Sequence, residues 1–236
     1  MTATTGSLEI ESDNRRDSLV RAAFACLAAD GFEGLRTRSV AMRAGVNIAT
    51  LHYYFPTKEA LIGGVAEFLS AQFIARHADP VASSGSPAID RLHQEFADAR
   101  YYRTEHPALT VAMFELQLRG RRDPAIRKIM EPLFGHWRRG IERWMADGIA
   151  EGVFRRDLDP ASGAAQVVCA ITGALYLDLG AAEVDGMLAE LAASLMTPES
   201  GSKYGHGSKA AKRSKARGLD AHSKLDKRQR RQSHGQ

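Results

Sequence analysis

The apolar residues of this chain recur every three to four positions along most of its length, which is the spacing of amphipathic helices. One face of the first such stretch carries Leu19, Ala22, Ala23, Cys26 and Leu27. Gly31 follows where a helix of that length would end. The pattern predicts an all-α fold, with two short helices on either side of Gly45 and longer ones over residues 14–29, 57–77, 88–105, 108–119, 125–151, 161–179 and 182–196.

Residues 38–59 combine small and apolar positions in the order that a helix-turn-helix requires. Ala41 is small where a second helix would cross almost on top of it, and Gly45 supplies the backbone freedom of a sharp turn. Asn47 is a good N-cap for the second helix. The positions expected to face the core are Val40, Ala44, Val46, Leu51 and Tyr54. The outward face keeps short or hydrogen-bonding side chains, which suit base edges and phosphates in a major groove: Ile48, Ala49, Thr50, His52 and Tyr53.

Residues 31–61 resemble the N-terminal domain of TetR-family transcriptional regulators. The shared markers are Gly31–Phe32, Val40–Ala41, Ala44–Gly45–Val46, Thr50–Leu51, Tyr54–Phe55 and Lys58–Glu59. Two positions depart from the family pattern: Leu35 stands where the family usually has Thr or Ser, and His52 where it usually has Tyr. The first departure weakens the expectation of a hydroxyl–phosphate contact at the start of the turn motif. The second means that the phosphate contact expected at residue 52 could depend on pH. The resemblance implies a dimeric, ligand-responsive regulator of a pseudo-palindromic operator, expected to act as a repressor.

The resulting organisation is a three-helix DNA-binding domain at residues 14–60 and a helical ligand-binding and dimerisation domain at residues 61–197. A disordered arm is expected over residues 1–13, and a disordered basic tail over residues 198–236, which has almost no large apolar side chains. The helix that starts after Pro56–Thr57 is long enough to link the two domains. The residues expected to contact DNA are Arg38, Asn47, Ile48, Ala49, Thr50, His52, Tyr53 and Lys58, the last lying where a helix N-terminus favours a phosphate.

The second domain supplies bulky apolar and aromatic side chains for a ligand pocket, which favours an apolar or aromatic small molecule. The pocket walls are expected from Phe73, Phe96, Tyr101, Met113, Phe114, Leu118, Phe134, Trp137, Trp144 and Tyr176. The polar residues that could orient a ligand are His93, Arg100, Glu115 and Gln117. Each apolar candidate could instead be an ordinary core residue.

The last two long helices carry more apolar surface than one domain can bury, which indicates a homodimer formed through a four-helix bundle. The interface is expected from Val167, Ala170, Ala174, Leu177, Val184, Leu188, Leu191 and Leu195. The alternative is that both helices belong to the core of a single subunit.

Charge is distributed unevenly along the chain. The net charge is +4, but residues 198–236 hold 11 Lys and Arg against 3 Asp and Glu, so the remaining residues have 21 basic and 25 acidic groups. The basic tail is either a solvated segment or an accessory DNA clamp that acts through counterion release. Two widely separated cysteines in apolar patterns indicate buried, reduced thiols, and the polar start lacks a signal peptide, so a cytoplasmic protein without a membrane span is expected.

Two other classes of function compete with the regulator. An enzyme is disfavoured because the sequence has no Gly-rich phosphate loop, no nucleophile elbow and no Cys/His cluster at zinc spacing, so no cofactor or metal is expected. A sequence-indifferent, nucleoid-type DNA binder would use the basic tail alone, but it has no need of an acidic domain of this size. The two DNA-binding classes differ in how strongly they prefer one duplex over another.

Overall fold

The computed structural model describes residues 4–77 and 84–204, with side chains from residue 14 onward. Within these ranges the fold is all helical, as predicted, and the only strand-like pairing is an antiparallel bridge between Phe154 and Met196. None of these helices is long and apolar enough to cross a membrane. The helices are α1 (Thr4–Asp30), α2 (Thr37–Arg43), α3 (Ile48–Tyr54), α4 (Lys58–His77), α5 (Pro87–Thr104), α6 (Pro107–Gly120), α7 (Pro124–Ala150), α8 (Pro160–Tyr176), α9 (Ala181–Leu195) and α10 (Pro198–Tyr204), with a 3₁₀ turn at Phe32–Gly34.

Three of the long helices begin where the sequence supplies both a cap and a proline. Ser86, Asp123 and Asp159 accept hydrogen bonds from backbone N–H groups in the first turns of α5, α7 and α8. A proline follows each of them, at a position where its missing N–H costs nothing and its fixed φ suits the helix. These local signals explain why the helix starts lie within one residue of the sequence-based expectation.

The ends of the described chain differ from the expected disordered segments. α1 begins at Thr4, so the arm expected over residues 1–13 is helical from residue 4; this stretch has no proline and one glycine, which permits the helix to extend. At the other end, Pro198–Tyr204 forms α10. Thr197 caps it by accepting the Ser200 N–H at 3.3 Å, and Tyr204 packs against the neighbouring core. Residues 1–3 and 205–236, which include most of the expected tail, lie outside the described residues.

Two hydrophobic cores run through the molecule. The first joins the helix-turn-helix to α4, α6 and the first half of α7, and it includes Leu27, Leu51, Ile62 and Leu116. The second joins α5, the second half of α7, α8 and α9. α4 and α6 therefore share the first core with the DNA-facing helices. This core continues across residues 60–61, where the boundary between the two domains was expected.

Candidate nucleic-acid interface and cavity

The turn between α2 and α3 has the geometry that its sequence predicted. Gly45 lies at φ 66°, a left-handed conformation that favours glycine, and the Val46 N–H returns to the Ala41 carbonyl at 3.0 Å. Ala41 is 2% exposed, so it has no room for a larger side chain. α3 is consequently held across α2, with Leu51 buried beneath it.

The outward face of α3 is free of contacts with the core. Tyr53 is 78% exposed, Ile48 is 39% exposed, and Ala49 and His52 are exposed as well. Asn47 and Thr50 also form the N-cap of α3: the Asn47 Oδ1 accepts the Thr50 N–H at 2.7 Å and the Thr50 hydroxyl at 2.9 Å. This N-cap fixes the start of the helix that presents the other side chains.

α2 adds two exposed side chains beside this face. Arg38, one of the residues expected to contact DNA, is exposed at the start of α2. Met42, near the end of α2, is 79% exposed and was not expected as a contact residue.

Lys58 lies in the first turn of α4, as expected, but its side chain is folded over an aromatic ring. Its Nζ is 4.0 Å from the centre of the Phe32 ring, and the Arg119 guanidinium lies 4.7 Å from the same centre. Desolvation is the main reason that the pKa of Lys58 is lowered, and the charge of Glu33 opposes that effect. Both cations are therefore gathered around the 3₁₀ turn.

A hydrogen bond ties the same turn to α6. The Phe32 N–H donates to the Glu115 Oε2 at 3.0 Å. Glu115 was expected to orient a ligand, but it is not among the residues that line the cavity described below, and its carboxylate accepts the hydrogen bond from the turn instead. Together, Phe32, Lys58, Glu115 and Arg119 form what we call the Phe32 clasp, which joins the DNA-facing helices to α6.

A cavity of about 660 Å³ lies among α4, α5, α6, α7 and α8. Five of the predicted pocket residues line it: Phe73, Met113, Phe134, Trp137 and Trp144. Other wall residues were not expected from the sequence, including Ser70, Ile74, His77, Glu95, Asp98, Tyr102, Thr110 and Leu175. Glu95, Asp98 and Tyr102 share one face of α5 at i, i+3 and i+7, so their spacing could have revealed them.

The other predicted pocket residues have different positions: His93, Phe96, Arg100, Tyr101, Phe114, Leu118, Gln117 and Tyr176 do not line the cavity. Phe96 is buried in the second core, and Arg100 pairs with Asp185 at 2.6 Å. Tyr101 lies under the Arg76 guanidinium at 4.6 Å. Phe114 and Tyr176 pack against each other with ring centres 5.5 Å apart. Each of these side chains lies on a helix face that is turned toward something other than the cavity, because different faces of one helix meet different neighbours.

The polar wall of the cavity centres on two buried carboxyl groups. Asp98 accepts from Gln94 at 2.8 Å and contacts Arg76 at 3.0 Å and His77 at 3.2 Å. The hydrogen bond to Asp98 raises the pKa of His77 against the opposing effect of burial. Asp98 therefore has cationic partners on α4.

Glu95 is 7% exposed and has no cation hydrogen-bonded to it among the described residues. Its Oε2 accepts the Trp137 indole N–H at 2.9 Å. Desolvation raises the pKa of Glu95, and the Trp137 hydrogen bond opposes that shift. The hydroxyl of Tyr102 is buried without a hydrogen-bond partner in the part of the chain that the structure describes, and desolvation raises its pKa.

The predicted dimer residues need a correction. Val167, Ala174, Val184, Leu188 and Leu195 are buried inside the subunit's own second core, so they offer no accessible surface to a partner. Ala170 and Leu191 are partly buried, and Leu177 is 53% exposed. The outward faces of the two helices carry other residues, most of them small: Ala165, Cys169, the half-buried Gly173 and Tyr176 on α8, with Leu177 just after it, and Ala182, Gly186, Ala189 and Ala193 on α9. Cys169 is exposed rather than buried as expected, whereas Cys26 is buried.

Comparisons with known proteins agree with this architecture. The family model for bacterial regulatory proteins of the tetR family matches residues 19–65. The HTH-type transcriptional repressor NicS of Pseudomonas putida is 27% identical over 161 residues, which cover 66% of this chain and 74% of NicS.

Solved structures share the fold at lower sequence identity. A TetR transcriptional regulator from Chloroflexus aurantiacus has a TM-score of 0.66 and 20% identity, covering 78% of this chain and 94% of that one. A transcriptional regulator from Saccharomonospora viridis in complex with choline has a TM-score of 0.64 and 21% identity, covering 76% and 94%. Residues 19–65 are therefore a DNA-binding domain of the TetR family of transcriptional regulators, and the helical second domain shares the fold of solved TetR regulators.

Proposed function

We propose that the protein is a homodimeric, sequence-specific repressor that an apolar or aromatic small molecule releases from a pseudo-palindromic operator. Its similarity to the repressor NicS supports repression as the mode of action. A fold neighbour in complex with choline supports a small organic effector. No catalytic role is proposed.

The observation that carries this proposal is the path of α4. Its first turn, at Lys58, lies beside the helix-turn-helix, and its last turns line the cavity through Ser70, Phe73, Ile74 and His77. The helix has 20 residues, which corresponds to a length of about 30 Å. A ligand in the cavity therefore contacts the element that sets the position of the DNA-facing helices. Such a ligand changes operator affinity only if it binds one α4 position better than the other.

The dimer is proposed to form through the outward faces of α8 and α9. Ala165, Cys169 and Gly173 on α8 and Gly186 and Ala189 on α9 are small, so helices of a second copy can approach closely. The resulting two-fold axis relates two helix-turn-helix units, which would read half-sites about 34 Å apart or a little more.

The proposed DNA contacts divide into two groups. Ala49, Thr50 and Tyr53 would meet base edges, together with Ile48. Phosphates would be bound by Arg38, His52 and Lys58, while Asn47 holds the helix start.

Fluorescence anisotropy tests the proposal. The DNA upstream of the protein's own gene and a scrambled duplex of equal length are each titrated with the full chain and with a chain ending at Tyr204, over a range of salt concentrations. Ending at Tyr204 keeps α10 and its contacts with the second core. We expect a preference of about a thousandfold or more for one duplex, retained without residues 205–236.

Equal binding to both duplexes, lost on shortening, would favour the nucleoid-type binder, in which the basic tail supplies the affinity. A second set of genomic duplexes then decides whether an operator lies elsewhere. If no duplex is preferred by the full chain, the proposed function is wrong.

A further inference from the structure

Of the two buried acids that line the cavity, Glu95 forms no ion pair with any described residue, although the charges of His77 and Arg91 act on it. Asp98 has Arg76 and His77 beside it, but Glu95 receives only the neutral indole N–H of Trp137 as a side-chain hydrogen bond within the described part of the chain. A buried carboxylate needs a paired charge, and otherwise it stays protonated. The cavity side of Glu95 is therefore a place where a positive charge would be stabilised.

The surroundings of Glu95 suit an organic cation rather than a small inorganic one. Five aromatic side chains line the cavity: Phe73, Tyr102, Phe134, Trp137 and Trp144. Aromatic faces attract cations and also pack against an apolar body. Three of the rings come from one face of α7, since Trp137 follows Phe134 by three residues and Trp144 follows Trp137 by seven.

Tyr102 supplies a second polar group on the same wall. Its hydroxyl is buried and has no hydrogen-bond partner among the described residues, which costs free energy unless a ligand satisfies it. It lies seven residues after Glu95, on the same face of α5. A protonated amine has several N–H donors, so it can serve both the Glu95 carboxylate and the Tyr102 oxygen.

Basic groups also line the cavity: His77 is paired with Asp98, and the others are exposed. Arg91, His136 and Arg143 are exposed, as is the acid Asp147, whereas Glu95 and Asp98 are buried. Exposed charges are screened by water and salt far more than buried ones. The buried wall therefore decides the charge of the ligand group that reaches it.

We propose that the effector is a protonated amine on an aromatic or branched apolar body, and that Glu95 binds its ammonium group at the inner wall of the cavity. This inference rests on the proposed function, because it assumes that the cavity binds the effector. It adds a charge to the apolar or aromatic effector class, and it assigns the residue that selects for that charge.

Three probes with one shared body test the proposal: para-tert-butylbenzylamine, para-tert-butylbenzyl alcohol and para-tert-butylbenzoate. They present a cationic, a neutral and an anionic group, respectively. The chain has two tryptophans, Trp137 and Trp144, and both line the cavity, so intrinsic tryptophan fluorescence reports occupation directly. We expect the amine to bind about tenfold or more tightly than the alcohol, with the benzoate weakest.

The variant Glu95→Gln removes the charge while keeping the size and an acceptor for the Trp137 indole. We expect it to lose about tenfold in amine affinity and to bind the alcohol unchanged, which also shows that the cavity is intact. Glu131→Gln is the matched control, since Glu131 is an exposed acid on α7 outside the cavity. Equal affinities for the three probes, tighter binding of the benzoate, or no response to the amine at its solubility limit would overturn the proposal.

Proton linkage gives an independent readout. A bound cation favours the charged carboxylate, whereas burial in the empty cavity raises the pKa of Glu95, so amine affinity should rise with pH while the amine stays protonated. Loss of the His77 charge at higher pH should also raise amine affinity. In Glu95→Gln the pH dependence of amine affinity should therefore come from His77 alone. The charged and titratable groups around Glu95 are His77 on α4, Arg91 and Asp98 on α5, and His136, Arg143 and Asp147 on α7.

The fluorescence assay needs no DNA, so its result is separate from the operator test. Equal binding of the three probes together with a confirmed operator would leave the repressor in place and remove only the amine. A confirmed amine site without a preferred duplex would show that the cavity binds such ligands but that the proposed regulation is wrong.

Discussion

The recognition helix uses seven consecutive residues, α3 from Ile48 to Tyr54, whereas the cavity takes its wall from five helices. In α3 a single turn separates the buried side chain of Leu51 from the exposed side chain of Tyr53. Phe73 and Trp144 line the same cavity only because α4 and α7 pack together. A function encoded within one turn of helix can be recognised from spacing, while a function shared by five helices depends on how they dock.

The first prediction concerns a position on α7 where helix propensity and tertiary packing disagree. Gly148→Ala should raise helix propensity, yet a Cβ at Gly148 would overlap the Phe154 ring and crowd Ala88. We expect the free energy of unfolding to fall by about 3 kcal/mol, at the upper end of overpacking costs. Chemical denaturation measures this change.

Gly140→Ala is the control on the same helix. A Cβ at Gly140 would meet nothing within 4 Å, so this variant should gain about 0.5 to 1 kcal/mol of unfolding free energy. If both variants changed stability alike, packing around Gly148 would not be the limiting interaction.

The sequence predicted the helices and the turn, because these depend on a few neighbouring residues. It did not predict which helix faces line the cavity or the core, because that depends on how the helices pack. The helix starts and the turn at Gly45 follow from caps, prolines and a glycine within a few residues. By contrast, Phe114 and Trp137 are equally bulky and aromatic, but only Trp137 faces the cavity. Likewise, the apolar face of α8 that contains Val167 and Ala174 serves the subunit's own core, and the small residues beside it are the ones left exposed.

The second prediction tests whether a change on the exposed face of α3 alters DNA binding without altering stability or ligand binding in the cavity. Tyr53→Ala removes a side chain that is 78% exposed, so it should leave stability nearly unchanged. We expect operator affinity to fall about tenfold or more, because a base contact of this kind contributes about 1–3 kcal/mol. Anisotropy measures the affinity, and tryptophan fluorescence with the amine probe should be unaffected.

Tyr53→Phe distinguishes the ring from the hydroxyl. Retained affinity in this variant would assign the contact to the ring, whereas a loss equal to that of Tyr53→Ala would assign it to the hydroxyl. Unchanged affinity in both variants would remove Tyr53 from the proposed DNA interface.

The third prediction addresses the Phe32 clasp, where the two regions meet. Glu115→Ala leaves the Phe32 N–H without its acceptor and should lower the free energy of unfolding by about 1–2 kcal/mol. It should also reduce the change in operator affinity that an effector causes, since α6 would no longer hold the 3₁₀ turn. Anisotropy with and without a cavity ligand measures this ratio.

Glu115→Gln keeps an acceptor oxygen for the Phe32 N–H. It should therefore keep most of the stability of the unchanged protein and most of the change in operator affinity that an effector causes. Identical behaviour of the alanine and glutamine variants would show that the hydrogen bond does not couple the regions. In that case α4 would be the remaining connection between the cavity and the recognition helix.

The smallest effect is expected at Lys58, which belongs to both regions. Lys58→Ala should weaken binding to every duplex by a similar factor and lower the salt slope by about 1, provided that Nζ leaves the Phe32 ring for a phosphate. Arg119→Ala is the matched control: it removes the other cation from the same ring and should leave the slope unchanged. An unchanged slope in Lys58→Ala, with a small loss of stability in both variants, would mean that Lys58 serves the Phe32 clasp alone. The DNA-facing surface would then end at the last residue of α3.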